Sequence, residues 1–433
     1  MAPSFDDPIF ISRATTTTTA AYSKRRKLTD NHHQQPLLPG LPDHIAQLCL
    51  NLVPPSTLYS VCRSWRRLIY TSSFPPFLSL YTLSFPTTTS SGHNPTLQLS
   101  SFDPISFNWS IITPPTPYLR HICPRHPSFI ARNLPMQSIS VAGNLVLLAG
   151  TTGELLPALP HPLIFNPLSK TWSSGPPFST PRRWCAAGAS RAAVVVASGI
   201  GSHFTQTVAR SVDKWVFREP NLFGKKGQDA NGVWKKMESL IDVKFSREAI
   251  DAVGCKGKLY MVNGGQEGVV YDVNSDEWWQ MAEGMVGGWR GPAAAMDEEI
   301  IYMVDEQKGV LRKYDDVVEV WVDVLEDDML KGAEHIAAGG GRVCVVRGGG
   351  VGILVVDVAA ATPWLSALDT PAGQQVLGLH ILPRMCSPEF QSPEIDISES
   401  WKNSVLAIYR KHGHVKNSGC GAFVGAVIAG NAG

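Results

Sequence analysis

The chain lacks a charge bias. Its 38 Lys and Arg stand against 37 Asp and Glu, for a net charge of +1, and charged residues make up 17% of the sequence. So small an imbalance gives no global attraction to polyanions and excludes indiscriminate nucleic-acid binding. No stretch reaches the roughly 18 consecutive apolar residues of a membrane-spanning helix. The eight cysteines are scattered, no two form a Cys-x-x-Cys pair, and no secretory signal peptide is recognisable. Free thiols in a reducing compartment, nucleus or cytoplasm, are the expectation.

Catalytic signatures are also missing. There is no phosphate-cradling Gly-x-x-x-x-Gly-Lys, no nucleophile elbow and no His-Glu-x-x-His. His121, Cys123 and His126 lie close together, but Pro124 and Pro127 interrupt them and Arg120 and Arg125 add repelling charge. His412, His414 and Cys420 fall in a glycine-rich end. A metal site needs three or four convergent ligands, so neither set points to a metal or cofactor.

What is present is turn-rich and β-branched, with 38 Gly and 32 Pro. The stretch from Ala249 to Trp278 shows the plan most clearly. Its apolar runs Ala249–Val253, Leu259–Val262 and Val269–Val273 are too short for stable helices and read as strands. Lys256-Gly257 and Gly264-Gly265 lie between them as turns. Trp278 opens a fourth strand, which completes one propeller blade. A short code then recurs, an aromatic or aliphatic residue before Asp or Asn, followed by Trp. It appears at Phe102-Asp103 with Trp109, Phe165-Asn166 with Trp172, Tyr271-Asp272 with Trp278, and Tyr314-Asp315 with Trp321. Val356-Asp357 with Trp364 repeats it with one extra residue. Trp234 keeps the step, although a polar insertion, Arg218–Gly232, separates it from its third strand. Such a ladder places each Trp between adjacent blades.

The pattern resembles the kelch repeat, whose marks are a double glycine after the second strand and this Tyr-Asp…Trp ending. Gly264 and Gly265 supply the double glycine here; Ala149-Gly150, Ser198-Gly199 and Val304-Asp305 stand in its place elsewhere. The segments around Trp172, Trp234, Trp278, Trp321 and Trp364 each hold four candidate strands, whereas that around Trp109 holds three. The orphan run Gln375–Leu382 completes the Trp109 blade, so that the two ends of the repeat pair and close the ring. The expected fold is mainly β, a six-bladed propeller over 77–384.

Leu37–Tyr70 is different. Ile45, Leu48, Cys49 and Leu52 form an apolar stripe at helical spacing, with Asp43 placed as a cap. Pro54-Pro55 ends that helix, and a second carries Leu58, Val61, Cys62, Trp65, Leu68 and Ile69. Leu41-Pro42-Asp43, Ile45, Leu48-Cys49-Leu50 and Val61-Cys62-Arg63-Ser64-Trp65-Arg66 resemble an F-box. That resemblance implies a small helical domain over 37–76 that docks a Skp-type adaptor, and through it a cullin-RING ubiquitin ligase. Leu41, Pro42, Ile45, Leu48, Cys49, Val61 and Trp65 would be the contacts. Adaptor docking requires Leu41, Ile45, Leu48 and Trp65 to stay partly exposed; a helical cap packed only on the propeller would bury them.

Residues 1–36 are polar, with a threonine run and the basic tetrad Lys24-Arg25-Arg26-Lys27, which is either an importin-binding segment or a solvated charge run. Residues 385–433 are heterogeneous; Trp401, Val405, Ile408 and Tyr409 share one side of a candidate helix. Arg182, Arg183, Trp184, Arg247, Arg290 and His335 each precede an innermost strand, on one rim of the channel. They are either a cationic, aromatic target-binding surface or turn residues bonded to carbonyls. The functional expectation is a non-catalytic substrate receptor, adaptor on the F-box and target protein on the propeller rim. The alternative is a small-ligand or enzymatic propeller capped by the amino-terminal helices.

Overall fold

Turn chemistry sets the repeat. In five of the six blades the third-to-fourth turn begins with a carboxylate or amide that accepts backbone N–H groups two or three residues on. Asp272 Oδ1 takes those of Asn274 and Ser275, Asn166 those of Leu168 and Ser169, and Asp315 those of Val317 and Val318. Four residues after the Asp or Asn the backbone turns left-handed, at Phe107, Lys170, Asp276 and Glu319. First-to-second turns put two adjacent residues in the same region, as at Ala142-Gly143, Lys256-Gly257 and Gly340-Gly341. Both devices match the twist of the flanking strands.

The computed structural model describes residues 37–53, 55–71, 74–75, 77–87, 96–119, 136–152, 158–217, 232–246 and 250–384. The basic tetrad, His121, Cys123, His126, most of the polar insertion, Arg247 and everything after Arg384 lie outside them. Six antiparallel sheets of four strands are present. The innermost strands are Gln374–Pro383, Gln137–Val141, Ala186–Ser190, Ile250–Cys255, Ala293–Met296 and His335–Gly339, for blades one to six in that order. Each contacts the next around the axis. Blade one closes the ring as expected. Its inner strand Gln374–Pro383 pairs with Leu78–Pro86, from Leu78 opposite Pro383 to Pro86 opposite Gln374, and a bulge follows Leu83.

Six apolar clusters fill the seams, one between each pair of neighbouring blades. The tryptophans lock these seams. Trp109 Nε1 donates to Asp369 O at 3.0 Å, Trp172 to Thr113 O at 2.8 Å and Trp234 to Pro176 O at 3.0 Å. Trp278 reaches Glu238 O at 3.0 Å and Trp321 reaches Met285 O at 2.9 Å. Every acceptor belongs to the connection that leaves the preceding blade. Trp234 also packs on Trp215, which holds the aromatic position of blade three.

Trp364 departs from the ladder. It stands opposite Asp357, while Leu365 faces Val356 and joins the seam between blades five and six. The longer turn after Asp357 shifts the register by one, and in a strand one step moves a side chain to the other face.

The F-box region also differs from the two-helix expectation. It has three helices, α1 (Asp43–Leu50), α2 (Pro55–Val61) and α3 (Arg63–Ile69), because Cys62 is extended at φ −156°. Asp43 opens α1 from inside its first turn; its Oδ1 accepts from Leu37 N at 3.1 Å rather than from a helix amide.

Candidate docking surfaces on opposite faces

In an antiparallel blade the first-to-second and third-to-fourth turns share one face, and the remaining connections share the other. The F-box is fixed to the first of these faces. Leu50, Leu58, Leu68, Ile69 and Phe74 form one core with Phe77 and with Ile105, which lies in the third-to-fourth turn of blade one. The Tyr70 hydroxyl donates to the Asp103 carboxylate of that turn, and burial with this carboxylate pushes the phenol pKa up. The Arg384 guanidinium, where the last strand ends, stacks 4.7 Å from the Phe77 ring.

Anchoring this core leaves a second apolar stripe uncovered. Ala46 and Leu50 face inward on α1, whereas Leu41, Ile45, Leu48 and Leu52 are 40%, 38%, 63% and 87% exposed. Val61, at the end of α2, is 54% exposed, and Pro42 and Cys49 are exposed beside the stripe. Exposed apolar side chains repeated along one helix are what makes this a candidate interaction surface. Trp65 has a structural role as well. It is half-buried against the F-box core, and its Nε1 donates to Leu37 O at 2.8 Å, tying the entering chain to α3.

The opposite face carries the rim, and the arginines described there do not form a positive field. Arg182 and Arg183 are 3% and 4% exposed. Arg182 folds into blade three, ion-paired with Asp213 and donating to Ser198 O at 3.2 Å and Ser211 Oγ at 2.6 Å. Arg183 packs under Trp184, its guanidinium 4.7 Å from the ring. Arg247 lies outside the described residues. Arg290 is half-buried and donates to Trp289 O at 3.0 Å. Near it Glu306 carries a raised pKa, through burial first and then the carboxylates of Asp305 and Glu334. His335 is half-buried, its Nδ1 accepting from Leu379 N at 3.2 Å. The rim therefore mixes signs.

Aromatic anchors mark the crest of blade three. Trp184 is half-buried with φ 51°, a left-handed backbone that is costly for so bulky a residue. A bridge between Arg183 and Ile200 binds its segment to the connection after the second strand. That connection exposes Ser202, His203 and Phe204, the last at 45%. It then runs into a short helix, α4 (Gln206–Arg210), whose N-cap is Thr205. His203 and Phe204 escaped the sequence reading; the only signal was an aromatic residue inside a polar connection.

Among the described residues no three His, Cys, Asp or Glu side chains are grouped as metal ligands, and no helix is long and apolar enough to cross a membrane. Burial pushes the Cys255 and Cys344 thiols up to about 12, so neither is a ready thiolate nucleophile.

Comparison with known proteins agrees with this architecture. No family model matches the chain. F-box/kelch-repeat protein SKIP25 of Arabidopsis thaliana is 48% identical over 366 residues, spanning 82% of this chain and 91% of that protein. F-box protein AFR of the same plant is 24% identical over 61% of this chain and 68% of its own length. F-box/kelch-repeat protein SKIP4, also from Arabidopsis thaliana, is 23% identical over 74% of this chain and 85% of its own length. With a propeller closed by its own last strand, an apolar stripe bared on three short helices and a relative of this closeness, the chain belongs to the F-box/kelch-repeat protein family.

Proposed function

We propose that the protein is the substrate-recognition subunit of a Skp-cullin-F-box ubiquitin ligase. The exposed stripe of α1 and the end of α2 docks the adaptor, and the face of the propeller opposite the F-box holds the target. The observation that carries this reading is the uncovered stripe. A helix serving only as a cap would turn Ile45 and Leu48 inward, yet they point away from a core that is already complete without them. Full burial of an exposed aliphatic side chain is worth about 1.5–3 kcal/mol, and these contribute in proportion to the surface they still expose.

The protein supplies no chemistry of its own in this scheme; it holds a target lysine near the transferring enzyme, and ubiquitin transfer gains from proximity. Trp184 and Phe204 serve as target anchors, since aromatic side chains dominate the binding energy of protein interfaces. Affinity capture with proteasome and cullin activity blocked tests the assignment. Phe204→Ala, alone and with Trp184→Ala, is expected to lose the captured target and keep the adaptor. Retention of the same targets by both variants would place recognition on another surface.

A further inference from the structure

The outer strand of blade five, Val320–Glu326, is the longest of the six outer strands. Like each of them it has one backbone edge outside the sheet. Here the strand and the turn that enters it are unusually apolar: Val317 and Val318 in the turn are 86% and 62% exposed, and Val320 and Val322 in the strand 45% and 38%. Carboxylates are interleaved with these valines. Between Asp315 and Asp328 there are seven Asp and Glu and no Lys or Arg. Lys256 pairs with Asp316 at 2.7 Å, Arg312 with Asp323 at 2.7 Å and Lys331 with Asp328 at 2.6 Å. Glu319 and Glu326 are exposed in the same stretch. Long outer edges with exposed β-branched residues invite an added chain, and this one selects for positive charge.

The complementary sequence lies in the same polypeptide. From Trp401 to Gly433 there are four Lys and Arg and no Asp or Glu. Lys402 on one side and Arg410, Lys411 and Lys416 on the other flank an apolar run of Val405, Leu406, Ile408 and Tyr409, with Trp401 ahead of it. The chain leaves the propeller at Arg384, at the end of an innermost strand and therefore near the axis. It exits on the face that carries the turn Asp316–Glu319. The sixteen residues 385–400 span up to about 55 Å when extended. A compact domain of this size is roughly 25 Å from axis to edge, so the tether reaches blade five with length to spare.

We infer that residues 401–416 dock in cis on the outer edge of blade five, their apolar side chains on Val317, Val318, Val320 and Val322 and their cations among the carboxylates. This occupant covers the exposed edge and gives the carboxyl-terminal segment a place beside the F-box face. A photo-cross-linking amino acid at position 318 of the full chain tests it, because that side chain sits on an exposed turn. Irradiation at low concentration is expected to give an intramolecular product whose digest joins position 318 to residues 401–416. The product should disappear in a chain carrying Arg410→Glu and Lys411→Glu. Cross-links only between two molecules, links to other segments, no cross-link, or a product indifferent to the charge reversal would each overturn the assignment.

Discussion

Arg182 shows how a residue's role turns on where its side chain goes. Its position before an innermost strand suits the rim as well as the scaffold, and only the fold shows it bonded to Asp213, Ser198 and Ser211 inside blade three. Removing one partner of a buried pair leaves an uncompensated charge, so Arg182→Ala is expected to cost about 3–5 kcal/mol in a urea titration. His380 yields a second prediction. Its ring lies between two hydroxyls, Nε2 at 2.9 Å from Ser138 Oγ and Nδ1 at 3.1 Å from Ser140 Oγ. Neutral imidazole, one donor and one acceptor, fits that pair, and burial pulls its pKa down to about 3. The unfolded chain takes the proton first, near pH 6.5, so this stability is whole above that pH. It is lost as pH falls toward 3, at up to about 1.4 kcal/mol per pH unit. His380→Gln should flatten that part of the acid slope when urea midpoints at pH 7 and pH 5 are compared; an unchanged slope would assign the acid loss elsewhere.

At the scale of elements, the ring closure was legible because strand counting left one blade short and one strand spare. It gives a sharp expectation: a chain ending at Thr370 lacks the strand Gln374–Pro383 and should not melt cooperatively, whereas one ending at Ser387 should. Circular dichroism on the two chains decides it, and a cooperative transition in the shorter one would refute the closure. Other elements were hidden for physical reasons. The turns Arg191-Ala192 and Asp297-Glu298 hold left-handed residues without glycine, so no local composition announces them. The split between α2 and α3 rests on one extended residue, Cys62, inside a continuous apolar pattern. Trp364 kept the spacing of the ladder but not its register, because the lengthened turn after Asp357 shifts the strand without changing its composition.

For the whole molecule, topology separates the two proposed tasks. The F-box is fixed at Ile105 and Phe77 on one face, and Trp184 and Phe204 stand on the other, so adaptor and target need not compete for surface. The apolar stripe of α1 was visible in the sequence; that it faces solvent was not, since spacing reports a side of a helix and not what lies against it. Calorimetric titration of the full chain with a purified Skp-type adaptor tests the proposed function most directly, comparing the native sequence, Leu48→Asp with Leu52→Asp, and Phe204→Ala. Surface changes of this kind usually alter stability by less than about 0.5 kcal/mol. All three proteins should therefore melt together, the native chain and Phe204→Ala should bind alike, and the double variant should not bind. Equal binding by the double variant, or no binding by the native chain, would contradict the assignment of the stripe to the adaptor.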